Sequence, residues 1–441
     1  MSHVFPRHTK SDLPFAVKGQ GAYLYDHKGK QYLDASGGAA VSCLGHGDAD
    51  VIAAIKAQAD ALAYAHTSFF TSHPAEELAD KLVAAAPGDL DRVYLVSGGS
   101  EAVEAALKLA RQYFIEIDQP ERHRFVARRQ SYHGNTLGAL ATGGNAWRRE
   151  PFAPLMVQTS HIAPCYEYRG LVSGETQYDY GQRVANELEE ELLRLGPETV
   201  IGFVVEPVVG ATLGAVPAVN GYFKRIREIC DRYGVLLILD EVMCGMGRTG
   251  TLFAHAFDGI TADIVTIAKG LGAGYQPIGA MMCTSRIYDA IADGSGFFQH
   301  GHTYVGHPMA CAAANVVMDK LIKCDLVQRC STMGTSLQDA LVQTFGQHSN
   351  IGDIRGRGLF IGLELVADRE TKQPFAPDLA IHKLIKRQAF ENGLACYPMG
   401  GTLDGKIGDH ILLAPPFILE PEHIDEIVEK LSQTLKQVLG K

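Results

Sequence analysis

No two of the nine cysteines stand at C-x-x-C spacing, and their number is odd. Neither a zinc module nor a disulfide framework finds support. Cys230 and Cys283 lie in apolar company, as reduced, partly buried thiols of a cytoplasmic protein do. Basic residues are also in short supply, 40 against 50 acidic ones, for a formal net charge of -10. A nucleic-acid surface needs clustered Lys and Arg. The densest such group, Arg122, Arg124, Arg128 and Arg129, is broken by apolar residues and reads as a strand with solvated flanks. The opening MSHVFPRHTK lacks the apolar core of a signal peptide. No apolar run reaches membrane length, and GVLLILDEV is strand-sized. Repeats, low-complexity linkers and the Walker and dinucleotide glycine patterns are missing as well. The expectation is a soluble cytoplasmic protein with no nucleic-acid or membrane partner.

What is present is length and alternation. The 441 residues leave room for two or three domains and a large core. Residues 1–70 form an N-terminal segment, in which GAYLYDHKGKQYLDASGG reads as two short strands around a turn at 27–30. A helix over about 50–64 follows, with Val51, Ile52, Ile55, Ala59 and Leu62 on one face. Across 71–325, the strands RVYLV, RFVAR, VIGFVVE, VLLILDE, DIVTIA and IGAMMC alternate with helices such as 101–117 and 222–233. That rhythm predicts an α/β fold whose mostly parallel sheet is covered on both faces. Residues 326–441 change rhythm: a helix near 331–345, IRGRGLFIGLELV, a helix, HILLAPPFIL and a last helix. They read as a smaller α+β domain that packs with the N-terminal segment.

Chemistry concentrates where ligands gather in open α/β sheets, at the carboxyl ends of strands. Lys269 follows an apolar strand and precedes Gly270, Gly272 and Gly274. It reads as a surface lysine at a strand terminus, or as an amine kept in an apolar place for its chemistry. Ser97-Gly98-Gly99-Ser100, between a strand and an amphipathic helix, is either a plain tight turn or a cradle for a phosphate. Asp240 and Glu241 end another strand and either cap the next loop or face a ligand. A carboxylate, a lysine and a phosphate cradle on neighbouring strand ends match the needs of pyridoxal phosphate.

The same residues resemble a family. The chain is similar to the class III, or ω-type, aminotransferases of fold type I along nearly its whole length. The motifs are YLYDHKGKQYLDASGG with LGHG, SGGSEAVEAALKLAR, SYHG, VVEPVVG, LDEVMCGMGRTG, AKGLGAGYQPIGA, GHTYVGHP and GDHILLAPPF, in the family's order. The resemblance implies a pyridoxal phosphate enzyme with a large cofactor-binding domain and a smaller one. It implies that Lys269 bonds the cofactor and then shuttles the proton, helped by a depressed pKa. By the same resemblance Asp240 holds the ring nitrogen protonated, Val242 and Tyr132 flank the ring, and Gly99 and Ser100 hold the phosphate. Thr303 matches a residue donated to the phosphate by the other subunit, which implies a homodimer with shared sites. Glu206 is expected in a supporting role, and His133 is expected to orient Tyr132. No metal is expected: His300 and His302 read as a structured loop before Thr303. Arg355 and Arg357 read as structural turn residues, and Gly270 to Gly274 as the bend that presents Lys269.

On substrates the resemblance is to the amine:pyruvate branch, because Ala211 stands where glutamate-using members carry Glu. The arginine that this branch often places before GDH is replaced near Gly405, with Lys406 beside it, and Lys is no equivalent for bidentate binding. Gly38 and Ala39 stand where relatives place a large aromatic, which implies a roomier pocket unless Phe69, Phe70, Phe297 and Phe298 refill it. The expectation is ping-pong transfer of an amino group from a primary amine or ω-amino acid to a keto acid, pyruvate first. Aminomutases and epimerases on the same scaffold, a decarboxylase, and a non-catalytic cofactor-binding regulator are the rival readings.

Overall fold

Successive residues of a strand face opposite sides of a sheet, so an unbroken apolar strand needs cover on both. Leu236–Asp240 is such a strand. Leu236 and Ile238 join one core cluster, with Val103, Leu107 and Phe114 of the helix Gly99–Glu116. Leu237 and Leu239 join the larger cluster on the other face, with Val184 and Leu188 of Gln177–Leu195 and Phe223 and Ile226 of Tyr222–Tyr233. The computed structural model describes residues 3–440, so positions 1, 2 and 441 of the expected terminal segments lie outside the described residues.

The central sheet has seven strands in the spatial order Leu90–Val96, Gly279–Thr284, Ile264–Ile267, Leu236–Asp240, Val200–Val205, Arg124–Arg128 and Thr159–Ile162. Six run the same way. Gly279–Thr284 is antiparallel to both of its neighbours. The edge strand Thr159–Ile162 is absent from the sequence reading because TSHI carries little apolar signal. A second, antiparallel sheet joins Ile351–Arg357, Phe360–Leu365, Asp409–Leu413 and Tyr397–Gly400. In a third, Leu394–Ala395 pairs with Gln31–Asp34, so C-terminal chain does pack with the N-terminal segment.

Several expectations need correction. The early helix spans Ala49–Ala61, and of its expected apolar face only Val51 is buried. Arg122 and Arg128 are buried rather than solvated. The Arg128 guanidinium donates to the carbonyl of Glu206 at 2.5 Å, and Arg122 donates to that of Val200 at 2.7 Å. Arg355 and Arg357 belong to a strand, not a turn. Arg355 donates to the Gly214 carbonyl and pairs with Asp353 and Glu364, each at 3.0 Å. Eight cysteines are buried, Cys324 is exposed, and all nine are free thiols.

Candidate active site

The carboxyl ends of the strands open onto a cavity of about 430 Å³, and the residues around it come from chain segments far apart in sequence. Ser97, Gly98, Gly99 and Ser100 follow Leu90–Val96, and Tyr132, His133 and Gly134 follow Arg124–Arg128. Glu206 follows Val200–Val205, Asp240 ends its strand with Val242 just beyond, and Lys269 stands two residues past Ile264–Ile267. The antiparallel strand contributes the residues before it, Gly274, Gln276, Pro277 and Ile278.

Alternation separates the acid pair. Glu241 is fully buried and accepts from the backbone of Ala254 at 2.6 Å and His255 at 2.8 Å. Asp240 faces the cavity. Its Oδ2 lies 2.8 Å from His133 Nδ1, and its Oδ1 accepts from the Val242 amide at 3.0 Å and Thr266 Oγ1 at 3.3 Å. His133 therefore orients Asp240, not Tyr132 as the sequence suggested. Glu206 accepts from the amides of Tyr132 at 3.0 Å and Gly210 at 2.9 Å. Burial raises its pKa above the usual 4.5, with His133 opposing.

Lys269 is the lining lysine, and its Nζ donates to the Ala39 carbonyl at 3.1 Å. Desolvation lowers its pKa from 10.5, against the attraction of Asp240 and Glu206. That is the direction an amine needs in order to act as nucleophile and base at neutral pH. The bend is made differently from the expectation: φ is +43° at Lys269 itself and +48° at Ala273, while among the expected glycines only Gly274, at +85°, takes a positive φ.

The helix Gly99–Glu116 begins at the cavity, and its N-cap Gly98 supplies no side-chain cap. A Cβ added to Gly98 would meet nothing within 4 Å, whereas one on Gly99 would stand 2.6 Å from Val242 Cγ1. Backbone N–H groups are thus left for an anion close to the wall that Val242 forms. An anion cradle, an apolar wall, an aspartate held by a histidine and a lysine without a carboxylate partner fit pyridoxal phosphate.

Thr303 is exposed and away from the cavity within one chain, its carbonyl accepting from Tyr64 Oη at 2.9 Å. His300 and His302 pack ring against ring at 4.8 Å. Phe69, Phe70 and Phe297 are exposed and Phe298 packs on Tyr94, so none of them lines the cavity within one chain. The Ala211 carbonyl accepts from His410 Nε2 at 3.0 Å. Lys406 Nζ pairs with Glu150 at 3.0 Å, both side chains being largely exposed. The sequence reading missed Thr266, the polar residue of IVTI. It also missed the Gly274–Ile278 wall, whose place depends on one strand running backwards.

The chain matches the family model Aminotransferase class-III over residues 4–435. It is 47% identical to an aminotransferase of Schizosaccharomyces pombe, over 97% of this chain and 93% of that one. An (S)-enantioselective ω-transaminase from Thermomicrobium roseum superposes with a TM-score of 0.93 at 34% identity, covering 99% of this chain and 96% of that one. The ω-transaminase of Pseudomonas jessenii, solved with PMP, gives a TM-score of 0.92 at 31% identity over 98% of this chain and 97% of that one.

Proposed function

From a chain that belongs to the class III aminotransferases, we propose an ω-transaminase that moves an amino group from a primary amine or ω-amino acid to pyruvate, in two half-reactions at Lys269. The observation that carries this reading is Lys269 itself, a lining lysine whose pKa is lowered by desolvation beside Asp240 and Glu206. Class III aminotransferases use pyridoxal phosphate, and when bound it supplies an electron-withdrawing ring that stabilises negative charge on the substrate carbon. The residues divide the remaining work. Ser100 and the amides from Gly99 onward would hold the phosphate. Val242 and Tyr132 would flank the ring, and Asp240, fixed by His133, would keep a proton on the ring nitrogen. Glu206 ties the Tyr132 segment to Gly210. Lys269 Nζ would first bond the cofactor and, once displaced by the incoming amine, accept and return the proton of the substrate carbon.

Pyruvate is favoured over 2-oxoglutarate because the buried Ala211 stands where glutamate-using members of the family carry Glu. Small residues at Gly38 and Ala39, where family members place a large aromatic, favour bulky amines. The proposal extends to a cytoplasmic homodimer in which Thr303 reaches the partner's phosphate. Purified enzyme offered several amines with pyruvate, glyoxylate or 2-oxoglutarate is expected to yield alanine from pyruvate. Turnover with 2-oxoglutarate alone would overturn the acceptor, and an isomer formed with no keto acid consumed would establish an aminomutase.

A further inference from the structure

Among the described residues, Arg148 makes no ion pair with a carboxylate, and it stands next to the cavity rather than in its lining. It lies on the short helix Ala146–Arg149, with its Cζ 4.7 Å from the ring centroid of the cavity residue Tyr132. Its Nε is buried and lacks a hydrogen-bond partner. Its charge is felt at the site, since it lowers the pKa of Lys269 and opposes the burial that raises that of Tyr132.

Its backbone is firmly held. Asn145 caps the helix by accepting from the Arg148 amide, and donates to Gln130 at 3.0 Å. Gln130 in turn donates to the carbonyls of Gly401 at 2.7 Å and Thr402 at 3.0 Å. The 401–408 loop therefore buttresses the helix. At Gly405, φ is +88°, and a Cβ would stand 2.9 Å from the Trp147 amide nitrogen, so the loop approaches the helix only without a side chain there. Lys406 is already committed to Glu150 at the surface. Of the cations whose charge acts on Lys269 or Tyr132, Arg148 acts on both and Arg7 on Tyr132 alone. Arg7 is exposed, on the segment ahead of the first strand.

We propose that Arg148 is the carboxylate-recognition residue of this enzyme, receiving the carboxylate of the keto-acid acceptor and of amino-acid donors. The proposal rests on the transaminase reading. A planar guanidinium with its Nε unpartnered, lying over the Tyr132 and Trp147 rings, suits pairing with a carboxylate.

The test is Arg148→Gln, with Arg148→Lys and Arg7→Gln alongside, each checked for unchanged circular dichroism. In half-reactions of the holoenzyme, Arg148→Gln is expected to raise KM for alanine and pyruvate about 10- to 100-fold. The half-reaction with 1-phenylethylamine, which has no carboxylate, should keep its KM, and Arg148→Lys should fall between. Calorimetric titration of the holoenzyme with 3-phenylpropionate and with its amide gives a readout free of turnover. Arg148→Gln should weaken the acid and spare the amide. Unchanged values for alanine, pyruvate and 3-phenylpropionate would overturn the assignment. So would an equal loss for charged and uncharged ligands, or the same selective loss in Arg7→Gln instead. If the acid binds through Arg148 while no amino group is transferred, the transaminase reading falls and the recognition residue stands.

Discussion

Lys269 combines two unfavourable conditions, a left-handed backbone and a desolvated ammonium. A non-glycine residue in that region costs about 1–2 kcal/mol. A base whose folded pKa is lowered opposes folding while it is charged, and the opposition fades as the pH rises through that pKa toward 10.5. Apo Lys269→Met is therefore expected to be more stable than the apo wild type near pH ~7 and to lose that advantage near pH ~10.5. Urea unfolding at the two pH values measures this, and an equal difference at both would assign the gain to packing. Transfer activity should vanish in the same variant, since the bond-making amine is gone. That Lys269, Asp240 and the Ser97–Ser100 turn stand around one cavity is expected from their combination and the family motifs, each feature alone being a weak signal. The His133–Asp240 contact was not legible, because it joins residues 107 apart and depends on the sheet order. The choice of Asp240 over Glu241 rests on the resemblance alone, and the structure turns Asp240 to the cavity and buries Glu241 against Ala254 and His255.

Among the elements, the apolar strands were read closely, for Leu236–Asp240 and Ile264–Ile267 are buried on both faces and so carry no other pattern. Element boundaries moved where local signal was thin. The helix placed at 331–345 begins at Leu326, where Asp325 takes a left-handed N-cap. Direction was beyond local reading: IGAMMC has the composition of a parallel strand and runs against both neighbours. Close approach was equally invisible. Gly362, in Phe360–Leu365, leaves room for the Gly214 carbonyl, which an added Cβ would strike. Gly362→Ala is expected to cost about 1–3 kcal/mol of stability through overpacking. It should also loosen the loop that ends at Gly214, where Arg355 and His410 converge. Denaturant midpoints and the cofactor's dissociation constant follow the two effects, and a neutral result in both would show that the loop shifts freely.

Across the whole molecule, apolar side chains remain exposed in one region of the sequence map after another: Phe69 at 78%, Phe70 at 68%, Phe297 at 63% and Tyr304 at 60%. The outward face of Ala49–Ala61 adds Ile52. Exposed apolar side chains of this size are what the proposed homodimer would cover. For the proposed homodimer, sedimentation equilibrium should give twice the 47.7 kDa chain mass at micromolar concentration. Thr303→Ala should weaken cofactor binding in that dimer, and a monomer with full affinity would refute the sharing of sites. The backwards strand has a consequence for anyone who edits this chain. Around five of the six parallel strands of the central sheet, the segment after the strand is the one that reaches the cavity. At Gly279–Thr284 it is the segment before, from Gly274 to Ile278. Loop grafts meant to reshape the ligand space belong upstream of that strand. Its downstream junction, at Ser285, lies at the opposite end of the strand and should accept changes that the chemistry never notices.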